Sequence, residues 1–300
     1  MQTETTIISY EIRQLIRYIN WGYFFHAWGF PLQFAGMMEK DEGDLHKRTP
    51  LSTQGNGENR QQDEAFRLYD EAVCLLNKVD GSYKVRAIYR LMNANSDGDD
   101  LLLGDIRIPL LRQQTHSHPD EPYMCLSDFV RPLSHGTADT VGIFATTIDE
   151  DMELPYKNDV YQSMLIKTLG ERLAEAAAEK LHETIRKDIW GYAKNENLSP
   201  EELFDCKYQG IRPAVGYPSL PDLSVNFLLN SLIRMEKIGI HLTENGMMKP
   251  HASVCGFMIS HPHSRYFNIG KIGEDQLADY SARRGIPAED LKKYLIKNLQ

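Results

Sequence analysis

Several things are scarce in this sequence, and each shortage closes a route. Cysteine is one: there are 4, Cys74, Cys125, Cys206 and Cys255, far apart and with no C-x-x-C pair. That spacing speaks against a zinc ribbon or a thioredoxin-type site, and for buried or incidental thiols in a reducing compartment. Positive charge is also short. Lys and Arg number 33 against 42 Asp and Glu, a net charge of -9, so there is no general basic field to hold nucleic acid. No run reaches the ~20 apolar residues that a membrane span needs. The opening "MQTETTIISYEIRQ" lacks the basic n-region and apolar h-region of a secretion signal. The expectation is a cytoplasmic chain that binds neither membrane nor nucleic acid. There is no G-x-G-x-x-G, no G-x-x-x-x-G-K-[ST] and no internal repeat, so the common phosphate-cradling loops are missing. No G-x-S-x-G or Cys/His catalytic signature occurs either.

What is present supports one domain over residues 1–300, with a core that needs no staples. Residues 6–19 carry Ile7, Ile8, Ile12, Leu15, Ile16 and Ile19 at helical spacing, which predicts an amphipathic helix. Residues 39–63 are polar and nearly free of large apolar side chains, and read as an exposed loop or disordered insertion. A helix follows over 64–79. "YKVRAIYRLMNANSDGDDLLL" predicts a β-hairpin around its Asn/Ser/Asp/Gly turn. "YMCLSDFV" and "DTVGIFATTI" read as further strands, the second central because it is almost wholly apolar. Residues 160–190 give the longest helical pattern. "SPEEL" is a helix start, with Ser199 as N-cap and Pro200 in the first turn. Residues 223–238 form another helix, ended at Gly239. "SVCGFMISHPHSRYFNIGKI" predicts a second hairpin around His261 and Pro262, and two short helices close the chain. Strands in hairpins with long helices between them make an α+β fold with a mainly antiparallel sheet.

Candidate chemistry is sparse. His116 and His118, or His261 and His263, could share one face of a strand. No third ligand stands at a diagnostic spacing, so no metal site is expected. Glu175 and Glu179 lie one helical turn apart and read first as a solvated face. The loop "YQGIRPAVGYPSLPD" is different. Pro213, Pro218 and Pro221 bar it from a helix interior or a central strand. Arg212 offers a planar fork that suits a carboxylate. The prolines stiffen the backbone, Gly216 permits close approach, and Tyr217 adds an aromatic face. A preorganised site for a small anionic or zwitterionic molecule fits these residues, and so does a purely structural crossing loop.

The segment "GIRPAVGYPSLPD" closely resembles the R-P-A-x-G-Y-P motif of the activation domain of cobalamin-dependent methionine synthase. "YINWGYFFHAWG", "LRQQT", "CLSDFV", "GERLAEAAAEKLHETIRKDIWGYAKNENLSPEEL" and "SVCGFMISHPHSRYF" resemble other stretches of that family, in order and over nearly the whole chain. The resemblance implies a C-shaped α+β domain with a twisted antiparallel sheet flanked by long helices. It implies S-adenosylmethionine binding, and reductive methylation of cob(II)alamin to methylcobalamin on a cobalamin-binding partner. A flavodoxin-like reductant would supply the electron. The chain would be a methyltransferase component that does not turn over alone. Arg212 would hold the ligand carboxylate, with Ala214, Gly216 and Tyr217 lining the pocket. Tyr266 and Phe267 fall on the family's aromatic pair, and Glu175 on a glutamate near the ligand.

Two departures bear on this. Asn20 stands where the family has an aspartate that binds the ligand's amino group, and Cys206 replaces an acid before the motif. Both remove negative charge, which predicts weaker binding than the family norm. The alternative is a docking or scaffold module for a cobalamin protein that has lost ligand binding, and a self-contained methyltransferase is a third reading. No corrinoid-binding Asp-x-His-x-x-Gly, folate or homocysteine-zinc module accompanies the domain. The expectation is either an excised domain or a separate protein that meets its partner in trans.

Overall fold

The structure is a computed structural model and describes residues 2–31, 34, 57–115, 121–296 and 298–299. Its centre is a six-stranded antiparallel sheet. In chain order the strands are β1 (Thr6–Tyr10), β2 (Val85–Asp97), β3 (Asp100–Leu103), β4 (Ile106–Pro109), β5 (Asp139–Ile148) and β8 (Ser253–Met258). The order across the sheet is β4-β3-β2-β5-β8, and β1 pairs with the first half of β2, beside the stretch that β3 takes further along. A small separate ladder joins β6 (His241–Leu242) to β7 (Met248–Lys249).

Side chains alternate along the strands and bury both faces. From β2, Val85, Ala87, Tyr89 and Leu91 enter one core, while Ile88, Met92 and Ala94 enter the other. The first core is covered by α1 (Trp21–Ala27), α2 (Gly57–Val79) and α3 (Val160–Thr184). The second is covered by α5 (Val225–Ile233), α6 (Glu274–Arg284) and α7 (Ala288–Lys292). Short α4 (Pro200–Phe204) starts on a capping box between Ser199 and Glu202. The fold is thus the α+β class read from the sequence, a mainly antiparallel sheet flanked by helices.

Three local readings are corrected. Residues 6–19 are not one helix. Thr6–Tyr10 is a strand on β2, and two 3-10 turns follow, Ile12–Gln14 and Ile16–Tyr18. The β-branched run at 5–8 prefers a pleated, half-buried surface, and the open edge of β2 supplies it. "YMCLSDFV" is not a strand. Asp128 accepts from Cys125 N at 2.8 Å and winds Leu126–Phe129 into a 3-10 turn. "SVCGFM" is a strand without a hairpin partner at His261. It pairs with β5 instead, and residues 260–271 follow as turns and extended chain. Of the polar 39–63 segment, 57–63 belongs to α2 and the rest lies outside the described residues. The long helix over 160–190 forms as expected, except that its last turn, Ile185–Ile189, is π-helical. No helix among the described residues is long and apolar enough to cross a membrane.

Candidate functional site

Residues 211–215 lie along the edge of β8 that β5 leaves free. Ile211 N donates to Ile259 O at 2.9 Å, and Ile259 N to Ile211 O at 3.0 Å. Phe257 N donates to Pro213 O at 3.0 Å, and Val215 N to Cys255 O at 2.8 Å. Pro213 has no N–H to give, but at this edge only its carbonyl is used. Beyond Val215 the chain turns at Gly216, where φ is 88°, a left-handed conformation that suits glycine. Gly216 N donates to Leu220 O at 2.8 Å and closes that turn.

A cavity of about 680 Å³ opens between this loop and α3, within the range of small-molecule sites. Seven of the eight residues singled out in the sequence line it: Asn20, Glu175, Arg212, Ala214, Tyr217, Tyr266 and Phe267. Gly216 does not line it and only shapes the turn. The rings of Tyr23, Tyr217 and Tyr266 stay substantially exposed at its wall.

Arg212 is nearly buried in this site, its side chain 11% exposed. Its Nη2 donates to Glu179 Oε2 at 2.9 Å, and its Nη1 to His182 Nδ1 at 3.2 Å. Its backbone N donates to Tyr266 Oη at 2.8 Å. Burial alone would lower its pKa, but the Glu179 carboxylate overrides this and holds it well above the usual arginine value. Burial, then the cations of Arg186 and Arg212, push His182 well below the usual imidazole range. The ring is therefore neutral. Nδ1 accepts from Arg212, so Nε2 carries the proton and points at Tyr192 Oη, 3.4 Å away.

Glu179 is where the sequence reading fails. The i, i+4 pair on α3 looked like a solvated face, yet Glu179 is 7 % exposed and lines the cavity. Its Oε1 has no hydrogen-bond partner. Arg212 is the only clue that a carboxylate would be needed inside, and it lies 33 residues away. Glu175, one turn earlier, accepts a short hydrogen bond from Tyr217 Oη, tying helix to loop across the mouth. Burial, and then that carboxylate, raise the Tyr217 phenol pKa. Asn20 caps α1, its Oδ1 accepting from Tyr23 N at 3.3 Å. Cys206 lines the cavity with φ of 55°, and its Sγ accepts from Tyr208 Oη at 3.5 Å. Tyr208 was not singled out, because nothing in its local sequence marks it.

No group of three His, Cys, Asp or Glu side chains gathers as a metal site among the described residues. His116 and His118 lie outside them. Helix, edge loop and nearly buried arginine surround one concave space in a domain of a mixed α+β type. The family model for the activation domain of vitamin B12-dependent methionine synthase matches residues 11–285, and the chain belongs to that family. It is also similar to a crystal structure of the MetH reactivation domain bound to AdoHcy. The TM-score is 0.85 at 34% identity, over 100% of this chain and 91% of that one.

Proposed function

We propose that this chain is a single activation domain that binds S-adenosylmethionine in the Arg212 cavity and supports reductive methylation of cob(II)alamin on a partner. The observation that carries this reading is a nearly buried guanidinium beside a cavity of ligand size. A guanidinium has five N–H donors, and Glu179 and His182 engage one each on Arg212. The rest suit a ligand carboxylate. The Tyr217 ring and the Glu175 carboxylate at the mouth suit a sulfonium. Ala214, Tyr266 and Phe267 supply wall for the nucleoside.

Arg212, Tyr217 and Glu175 would hold S-adenosylmethionine, which would supply a methyl group and leave as S-adenosylhomocysteine, while a partner's cobalamin, given one electron by a flavodoxin-type protein, would be the methyl acceptor. The chain's own residues hold and orient the donor, so no general base is required. The test is calorimetric titration of S-adenosylmethionine into the chain, followed by methylcobalamin formation with a cobalamin domain and a reductant. Saturable binding and partner-dependent methylation are expected. Methylation without a corrinoid protein would point to a self-contained methyltransferase.

A docking module without ligand binding is the second reading. It is favoured by Asn20, whose amide oxygen is uncharged and already accepts one hydrogen bond from the helix cap. Titration of the unaltered chain separates the two readings, and one substitution tests the part that Asn20 plays. Asn20→Asp keeps one oxygen for Tyr23 N and frees a second, charged one for the ligand's ammonium. A charged hydrogen bond exceeds a neutral one by roughly 1 kcal/mol, so affinity should tighten about fivefold to tenfold. Equal affinity in both forms would show that Asn20 does not face the ammonium.

A further inference from the structure

We propose that the buried pair Arg186–Glu196 is a positioning device for Arg212, acting through Tyr208; this rests on the ligand site described above. Arg186 is 0 % exposed and is among the largest fully buried side chains. Its Nε donates to both oxygens of Glu196, at 3.1 and 3.0 Å, and its Nη2 to Glu196 Oε1 at 2.5 Å. Nη1 has no hydrogen-bond partner. A buried ion pair with an unsatisfied donor is poor value for stability, since apolar side chains of similar volume often do as well or better. The pair therefore calls for another explanation.

That explanation lies in what the guanidinium touches. It stacks on the ring of Tyr208, 4.1 Å from the centroid. Tyr208 Oη sits 3.5 Å from Tyr266 Oη, which accepts the Arg212 backbone N–H. The ring of His182 meets Tyr208 edge-on at 5.0 Å, and His182 accepts from Arg212 Nη1. Both ends of Arg212 are thus one residue away from Tyr208. The π-helical turn Ile185–Ile189 inserts an extra residue at the end of α3, and the chain then returns so that Ala193 N donates to Arg186 O at 3.0 Å. That return brings Glu196 to the guanidinium. Tyr208 is clamped between Arg186 and His182, and the clamp fixes the carboxylate-binding fork.

The experiment compares the full chain with Arg186→Lys and with the paired replacement Arg186→Met/Glu196→Leu. Lysine keeps the charge but loses the fork and the stacking plane. The paired replacement leaves no unpaired charge. Two quantities are read: affinity for S-adenosylmethionine, and hydrogen exchange at the Arg212 amide. The Val215 amide, on the same loop but bonded to Cys255 O, is the internal control. In both variants exchange at Arg212 should speed up while Val215 stays protected. Affinity should fall about tenfold, the worth of roughly one oriented hydrogen bond. An unchanged melting temperature with these losses separates positioning from stability. Unaltered exchange at Arg212 overturns the proposal, whatever the affinity. Absence of ligand binding by the unaltered chain overturns the ligand reading instead, and the exchange measurement still decides the clamp. If the paired variant does not fold, Arg186→Lys carries both readouts.

Discussion

Arg212→Ala is expected to abolish S-adenosylmethionine binding and to destabilise the fold at the same time. Two charged hydrogen bonds to the ligand carboxylate, at roughly 1.5–3 kcal/mol each, amount to at least a hundredfold in affinity. The stability effect has a separate cause. Arg212 and Glu179 side chains are 11% and 9% exposed and are paired at 2.9 Å. Removing the arginine strands a buried carboxylate, and breaking such a pair costs about 3–5 kcal/mol. A binding defect in the single variant could therefore be mistaken for unfolding. Arg212→Met/Glu179→Leu separates the two, because it removes both charges together. It should melt close to the unaltered chain and still fail to bind in calorimetry. Binding by that double variant would exclude Arg212 as the carboxylate anchor. A melting temperature as low as that of Arg212→Ala would show that packing, not the stranded charge, sets the stability effect.

How far the sequence reached depends on the range of each cause. Period and punctuation are local, so β2, β5 and α3 were legible from alternation, from a continuous apolar run and from helical spacing. Ser199 and Glu202 announced α4 for the same reason. Residues 6–10 misled because their apolar spacing is compatible with a helix and only the exposed edge of β2 selects the strand. "YMCLSDFV" misled because one side chain, Asp128, captures the Cys125 backbone N–H and so prevents an extended run. At the site, Arg212 stood out because proline and glycine set it apart, and resemblance to a family supplied Asn20, Glu175, Tyr266 and Phe267. Glu179, His182 and Tyr208 stayed hidden. Each is polar only in ways that an ordinary helix or loop residue is polar. Glu179 and His182 matter because they meet Arg212 across 33 and 30 residues of chain, and Tyr208 because it meets His182 and Tyr266, which hold Arg212. Spacing within one element carries no information of that kind.

Gly256→Ala is expected to lower both stability and ligand affinity strongly, although the residue lies in an unremarkable stretch of strand, "SVCGFM". Gly256 pairs with Phe144 of β5 on one side and faces Ala214 on the other. A Cβ there would stand 2.1 Å from Pro213 O, 2.8 Å from Ala214 Cα and 3.0 Å from Pro213 C. All three are main-chain atoms, so no rotamer change relieves the clash. The loop would have to leave β8, breaking the Phe257 N to Pro213 O and Val215 N to Cys255 O hydrogen bonds. Two such bonds at about 1 kcal/mol each, with about 1–3 kcal/mol of overpacking, give a loss of about 3–5 kcal/mol. That corresponds to a fall in melting temperature on the order of 10 °C. Affinity should drop as well, because Arg212 immediately precedes the displaced residues. Gly142→Ala on the neighbouring strand is the comparison. Its Cβ would meet Met258 Cβ at 3.1 Å and Leu91 Cδ2 at 3.2 Å, both side-chain atoms, so its effect should be smaller and confined to stability. Equal melting temperatures for the two variants would mean that the loop does not depend on close backbone approach at β8. If Gly256→Ala melts early but binds normally, Arg212 is held in place by Tyr266 and His182 rather than by the strand, which would move the origin of the site's rigidity from the sheet edge to α3 and the extended chain after β8.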